Sequence, residues 1–591
     1  MKKLIILSIV LTGQALANTS FYYYSKTERL KALTELYQAT KGRYALWDLK
    51  LINMEIAGDD VFKKALQIEK SIDNVQGPMQ KATANLEFLD RLKKVIAEFK
   101  DTHFSLRPLA PTPVITNGLK LKSYLEEGTR KIIISAVSKK LMSLNETLTN
   151  RDYFEKFKIG DELISVDNIS ARNYLSNMRE FVSASSGTFR DIRAAESITR
   201  RNFSYPAKNY SDWKFKRTTE EGIKTYKVRL PWYADKVSRR DANVYFKANN
   251  FHQLEKTYYS WNDELQEWNE DKDLNYIGFD RFAAPKGLTE VEEWIDSDDE
   301  VIFRSGKFLK DEKEYGYIQF FAFTNKDLTK KDANEDKDSE ELEIKHLFRK
   351  FVIKLKKENI PLIVDLRLNF GGNTQIALEN LSAIAKSGDS YPSRTVAYKT
   401  TPFIQSLFNT MTDDFSLLEY PEYGDLELIA NEIYHAVSIN KEYTNLILQS
   451  DPITAHDDVK GYELPVVALV TPYCISACDN QAFLFKASER VTLIGDHANG
   501  TGAGFWGNNF HDPSFVDSQF IFQTRIPNYL FGYPVKTEDR VIVDSDMGML
   551  IQTNSENRPV EAHILFRDTS KTFTDQASNW IEKAITTINS I

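Results

Sequence analysis

Ser476 stands between two unlike runs of sequence. Pro465 to Thr471, rich in Val and Leu and bounded by Pro465 and Pro472, suits a strand buried on both faces. In Ile475 to Lys486 the apolar residues Ile475, Ala482, Phe483 and Phe485 recur at roughly helical spacing among polar ones. A serine where a strand becomes a helix projects from the sheet's edge, and the first amides of the helix are unpaired donors that can face a developing oxyanion. Serine is also a preferred helix cap, so the hydroxyl alone does not define a site. A second stretch, Ile360 to Asn373, reads as another buried strand, Leu362 to Leu366, running into the paired glycines Gly371 and Gly372. Glycines there permit positive φ and leave backbone N–H groups uncovered. A hydroxyl at one strand end and bare amides at another are the parts of an acyl-transfer site.

The two stretches together resemble peptidase family S41, the C-terminal processing or tail-specific proteases. Members carry a strand ending D-L-R-x-N-x-G-G and, later, S-A-S-A-S-E with the middle serine as nucleophile. This chain has Asp365-Leu366-Arg367-Leu368-Asn369-Phe370-Gly371-Gly372 and then Cys474-Ile475-Ser476-Ala477-Cys478-Asp479, with cysteine at both flanking serines. The Ser/Lys members take their base from a G-E-x-x-x-G-K-G loop. Here Gly495 to Gly502 puts Thr501 at the lysine's place, and a threonine hydroxyl cannot serve as the base.

A CPAF-like branch of the family uses Ser, His and Glu instead. Its His follows a D-x-H motif near the N-terminus, which Asp101-Thr102-His103-Phe104 resembles; its Glu lies in E-N-x-G-V-x-P, which Glu556-Asn557-Arg558-Pro559-Val560-Glu561-Ala562 resembles. The resemblance therefore implies Ser476 as nucleophile, His103 as base and Glu556 as the group that fixes the base, with the Gly371 or Gly372 amide and the Ala477 amide lining an oxyanion hole. His497, in the loop where the family's lysine arrives, is the alternative base, and Glu538 and Glu561 are alternatives to Glu556. The implied function is peptide-bond hydrolysis in polypeptide substrates through an acyl-enzyme. An inactive peptide-binding protein on the same fold, or an esterase-like acyl hydrolase, are the competing readings. The resemblance also suggests self-processing and a homodimer.

The elements that must position these groups define a multidomain α/β (α+β) chain. Residues 18–110 are expected as an N-terminal helical domain, with Leu30, Leu33, Leu36 and Tyr37 on one apolar face and Leu86, Leu89, Leu92, Val95 and Ile96 on another. His103 falls just past the second of these. Phe157 to Asp167 resembles one hairpin of a PDZ domain, so 111–208 is expected as a PDZ-like, β-rich domain. Residues 209–310, polar and aromatic, are expected as a linker or lid-like region. Residues 311–591 are expected as the S41 (ClpP/crotonase-like) catalytic core of parallel ββα units, with an insertion around 392–462.

Composition bounds the rest. At 591 residues, with 42% hydrophobic and 12% aromatic residues, the chain is globular and long enough for several domains. Met1 to Ala17 has Lys2 and Lys3, an apolar run from Leu4 to Leu11 and an Ala15-Leu16-Ala17 cleavage pattern, as in a secretory signal peptide, so export to the periplasm or beyond is expected. No later stretch approaches the ~20 apolar residues of a membrane span. Removal of the leader takes the formal charge from −8 to −10, which argues against nucleic acid as a partner. The two cysteines, Cys474 and Cys478, straddle Ser476; in an oxidising compartment a bond between them is possible, but helical geometry points the sulfurs poorly for it, so two small buried side chains supporting the turn are the expectation. No histidine is near them in sequence, and neither a metal nor a cofactor is expected.

Overall fold

The structure is a computed structural model. It describes residues 23–108, 113–149, 156–236, 240–262, 267–297, 299–324, 326–331, 342–413, 426–504, 522–533, 540–542, 545–575 and 577–591. The expected leader and Glu538 lie outside the described residues.

The apolar runs form one sheet, ordered Thr329–Lys330, Thr289–Ile295, Val301–Lys310, Lys313–Phe320, Leu362–Asp365, Val466–Val470, Thr492–Gly495, Ile564–Leu565. The last five strands are parallel and the others antiparallel. Helices cover both faces, which is why the central strands are apolar at nearly every position rather than at alternate ones. Leu362, Val364, Val466, Ala468 and Val470 pack toward the helices Ile344–Glu358, Thr374–Ile384 and Ala477–Ala487. Ile363, Val467, Leu469 and Ile494 pack toward Trp580, Ile581, Ala584 and Ile585 of the closing helix Ser578–Ile588. Asp365 stands beside Leu469, and Val470 beside Gly495, so three turns leave the same edge of the sheet side by side.

The core sheet begins before residue 311, because the hairpin Val301–Lys310 with Lys313–Phe320 supplies two of its strands. A second sheet takes Leu119–Glu126, Thr129–Ser138 and Glu162–Val166, and continues through Tyr210–Thr219, Gly222–Pro231 and Tyr276–Gly278. It thus draws strands from both sides of residue 208. Trp213, Phe215 and Trp232 are buried against Leu163 and Val166, so this part of the segment expected as a lid is core-forming β structure.

The segment around 392–462, expected as an insertion, also builds sheet structure. Its strands Thr395–Tyr398 and Leu446–Leu448 join Ala503–Gly504, Tyr529–Gly532 and Val541–Ile542 in a five-stranded sheet, backed by the helices Pro402–Asp413 and Leu426–Ser438. That sheet holds the far end of the glycine-rich loop.

Among the described residues four helices, Lys26–Arg43, Trp47–Met54, Gly58–Ser71 and Pro78–Glu98, precede the turn with His103. The first starts at a capping box in which Ser25 and Glu28 satisfy each other's backbone N–H groups. Arg29 and Glu69 form a buried ion pair between two of the helices.

Candidate active site

Ser476 stands at the N-cap position of the helix Ala477–Ala487 with φ 59° and ψ −120°, a conformation that costs a non-glycine residue energy, and its hydroxyl makes no capping hydrogen bond. The turn before it is pinned at three points: Cys474 N–H donates to Thr471 O, Ile475 N–H to Asn369 O, and Thr471 Oγ1 to Arg367 O. The glycine turn is pressed against it. A Cβ on Gly371 (φ 92°) would lie 2.7 Å from Ser476 Cβ, and one on Gly372 (φ 129°) 2.0 Å from Phe323 O, so neither position accepts a side chain. The Gly371 amide donates to Asn369 Oδ1 at 2.8 Å. The Gly371 amide is thus engaged within its own turn, and Ala477 supplies the first amide of the helix that follows Ser476.

The loop after Thr492–Gly495 gathers the remaining groups residue by residue. Asn499 Oδ1 accepts from Thr102 Oγ1 at 2.6 Å while its Nδ2 donates to Pro472 O at 2.9 Å, tying the turn of His103 to the turn of Ser476. The Gly500 and Thr501 amides and the Thr501 hydroxyl all donate to the buried carboxylate of Asp479. Thr501 Oγ1 also accepts the Ser476 N–H at 3.3 Å. Gly502 N–H donates to Glu556 Oε2 at 2.6 Å, and Ala503 O receives His103 Nδ1.

A carbonyl only accepts, so Nδ1 carries the proton and His103 Nε2 the lone pair, the tautomer a general base needs. Burial, then the charge of Arg525, pushes the His103 pKa down to about 3, so the ring is neutral at ordinary pH. Glu556 does not take the position expected for it on the imidazole. Its Oε1 accepts from Lys50 Nζ at 2.7 Å and its Oε2 from Gly502, one residue before the carbonyl that holds His103. Burial raises its pKa to about 7, against the opposing pull of Lys50. Asp479 is raised to about 6, again mainly by burial.

Two of the alternatives, His497 and Glu561, are among the described residues. His497 Nε2 is 3.3 Å from Thr188 Oγ1, and the Glu561 side chain is exposed at the bridge that residue makes with His497. The cysteines correct an expectation: Cys474 and Cys478 form a disulfide, with Cα atoms 5.0 Å apart. The helix begins only at Ala477, so Cys474 lies in the turn and the helical i, i+4 spacing that argued against a bond does not apply. Sequence reasoning missed Lys50, Asn499, Asp479 and the structural use of Thr501. Of these only Asp479 carried a signal, as the acid that closes the nucleophile motif. Among the described residues no group of three or more potential metal ligands occurs.

The parallel sheet and its strand-to-helix turn are the frame of a serine hydrolase. The model of peptidase family S41 matches residues 314–528, the span that carries Asp365, Ser476 and the glycine-rich loop. Residues 314–528 are thus similar to the catalytic core of family S41, and the protein is a serine-type peptidase. Mature CPAF complexed with lactacystin matches the chain with TM-score 0.63 at 15% identity, over 96% of this chain and 99% of that one. Mature CPAF alone gives 0.61 at 15% identity over 96% and 98%. At such identity the likeness is one of fold, and it extends over nearly the whole length of both chains. No curated protein matches the sequence. Among the described residues no helix is long and apolar enough to cross a membrane.

Proposed function

We propose that the protein is an exported serine endopeptidase that cleaves polypeptides through an acyl-enzyme on Ser476. The observation that carries this reading is the run of contacts from Asn499 to Ala503, which ties the Ser476 turn, Glu556 and the neutral, Nδ1-protonated His103 to one loop. Ser476 Oγ attacks the scissile carbonyl while His103 Nε2 takes its proton and passes it to the departing amine; water, activated by the same nitrogen, releases the acyl group. The amides of Gly372 and Ala477 receive the oxyanion, each contributing on the order of 3 kcal/mol to the transition state. Glu556 acts on His103 through the Gly502–Ala503 backbone. The leader-like start and the Cys474–Cys478 bond, which persists best in an oxidising compartment, both support export.

The test is labelling by a serine-directed fluorophosphonate, with the modified peptide mapped by mass spectrometry. Wild-type protein should label at Ser476 and hydrolyse an unfolded protein substrate; Ser476→Ala should do neither while melting at the wild-type temperature. Normal proteolysis by Ser476→Ala would remove the assignment.

A further inference from the structure

Lys50 lies on the short helix Trp47–Met54 and is 506 residues from Glu556 in the chain. Its side chain is 1% exposed. Each of its three N–H donors finds an oxygen: Glu556 Oε1 at 2.7 Å, Asn557 Oδ1 at 2.6 Å and Lys100 O at 3.2 Å. An ammonium buried in this way is tolerated only when paired and fully hydrogen-bonded, and removal of one partner leaves the other charge stranded.

The three acceptors sit on the two turns that flank the base. Lys100 precedes Asp101, whose Oδ1 accepts the His103 N–H at 2.8 Å, and Asn557 follows Glu556. Lys100 (φ 49°) and Asn557 (φ 57°) both hold left-handed conformations that their neighbours must enforce. Asn557 Nδ2 donates to Lys100 O at 3.0 Å and to Ser185 O at 2.6 Å, which closes the cluster. From there the contacts run Glu556 Oε2 to Gly502 N–H, then across one peptide to Ala503 O and His103 Nδ1.

We propose that Lys50 is a positioning residue for catalysis: it holds the Glu556 carboxylate on the Gly502 amide, and so keeps the Ala503 carbonyl on His103 Nδ1 and Nε2 as the basic nitrogen. This rests on the serine-peptidase reading above. An N-terminal helix thereby completes an active site whose nucleophile lies in the C-terminal half of the chain.

Lys50→Met keeps the length of the side chain and removes the charge. It should lower kcat by about 10- to 100-fold, the range seen when groups that orient a metal-bound imidazole are removed, with KM little changed. Lys50 opposes protonation of Glu556, so its loss should also move the acid limb of the pH profile upward. The double variant Lys50→Met/Glu556→Gln, free of a stranded charge, should be no slower than Glu556→Gln alone, since coupled residues do not add. Rates are taken per fluorophosphonate-titrated site, so a change that only lowers the folded fraction leaves them unmoved. Unchanged kcat per site with an unchanged acid limb would overturn the proposal, as would full additivity in the double variant. Nitrogen-15 NMR of the eight histidines separates this result from failure of the peptidase reading. If the wild type neither labels nor cleaves, the peptidase reading falls, and the His103 Nδ1–H signal still reports on Lys50. Its loss in Lys50→Met supports positioning, and its persistence refutes it.

Discussion

Burial is the largest influence on the pKa of His103, Glu556 and Asp479, and the first two respond to pH in opposite senses. The Glu556 carboxyl, raised from 4.5 to about 7, binds its proton more tightly in the folded chain. Its contribution to stability is present below pH 4.5 and is lost as pH rises through about 7. His103, lowered from 6.5 to about 3, is harder to protonate when folded; its contribution is intact above 6.5 and is lost as pH falls toward 3. Catalysis separates the two. His103 is already neutral at pH 5, so kcat/KM should rise through about pH 7 as Glu556 ionises and takes up Gly502 and Lys50, rather than follow the imidazole. In Glu556→Gln, which cannot ionise and turns a donor toward Lys50, that limb should vanish and activity should stay low at every pH. A pH–rate series on both proteins decides it: an acid limb that survives in Glu556→Gln assigns the titration to another group.

At the scale of single elements, the two strand-to-turn motifs were legible because the chemistry restricts what can stand there. Gly371 and Gly372 are forced by φ and by the approach of Ser476 and Phe323, and the strands ahead of them read as continuous apolar runs because helices cover both faces. Lys50 left no such trace. It sits on a helix where Leu51 and Ile52 are half exposed, and only its partners 50 and 506 residues away make it a buried charge. The strands after residue 208 were missed for a similar reason: alternating aromatics among lysines and aspartates read as a polar surface until Trp213 and Phe215 find Leu163 and Val166. The disulfide was misjudged through a single boundary, the helix start at Ala477. Both cysteines are fully buried and bracket Ser476, so the bond fixes the turn that holds it. Closing so short a loop is worth about 2 kcal/mol by chain entropy. The Cys474→Ala/Cys478→Ala variant should therefore fold with a Tm a few degrees lower and label with fluorophosphonate more slowly. Wild-type labelling kinetics in that variant would show the turn to be held by its hydrogen bonds alone.

Across the whole molecule, the N-terminal helices share a core with the sheet that carries Ala503. Leu33, Leu36, Leu89 and Leu92 share one buried cluster with Tyr443 and with Ala397, Leu446, Ala503 and Leu530 of the five-stranded sheet. Ala45 N–H donates to Pro527 O, and Tyr443 OH to Ala45 O at 2.8 Å, so backbone as well as side chains cross the junction. The same sheet carries Ala503, whose carbonyl holds His103, so loosening this shared core should disturb the base before it disturbs the parallel sheet. Leu530 is 2% exposed at the centre of that core. Leu530→Ala should cost about 3 kcal/mol, the usual range for emptying a packed leucine site. Hydrogen exchange followed by mass spectrometry should then show faster exchange in two places, the strand Tyr529–Gly532 and the helices Lys26–Arg43 and Pro78–Glu98, because one cooperative unit contains them both. The strand Val466–Val470, packed in a separate cluster, should keep its wild-type protection, and fluorophosphonate labelling of Ser476 should slow together with the loss of N-terminal protection. Exchange that rises in the sheet while the helices stay protected would mean that they fold independently of the site they complete.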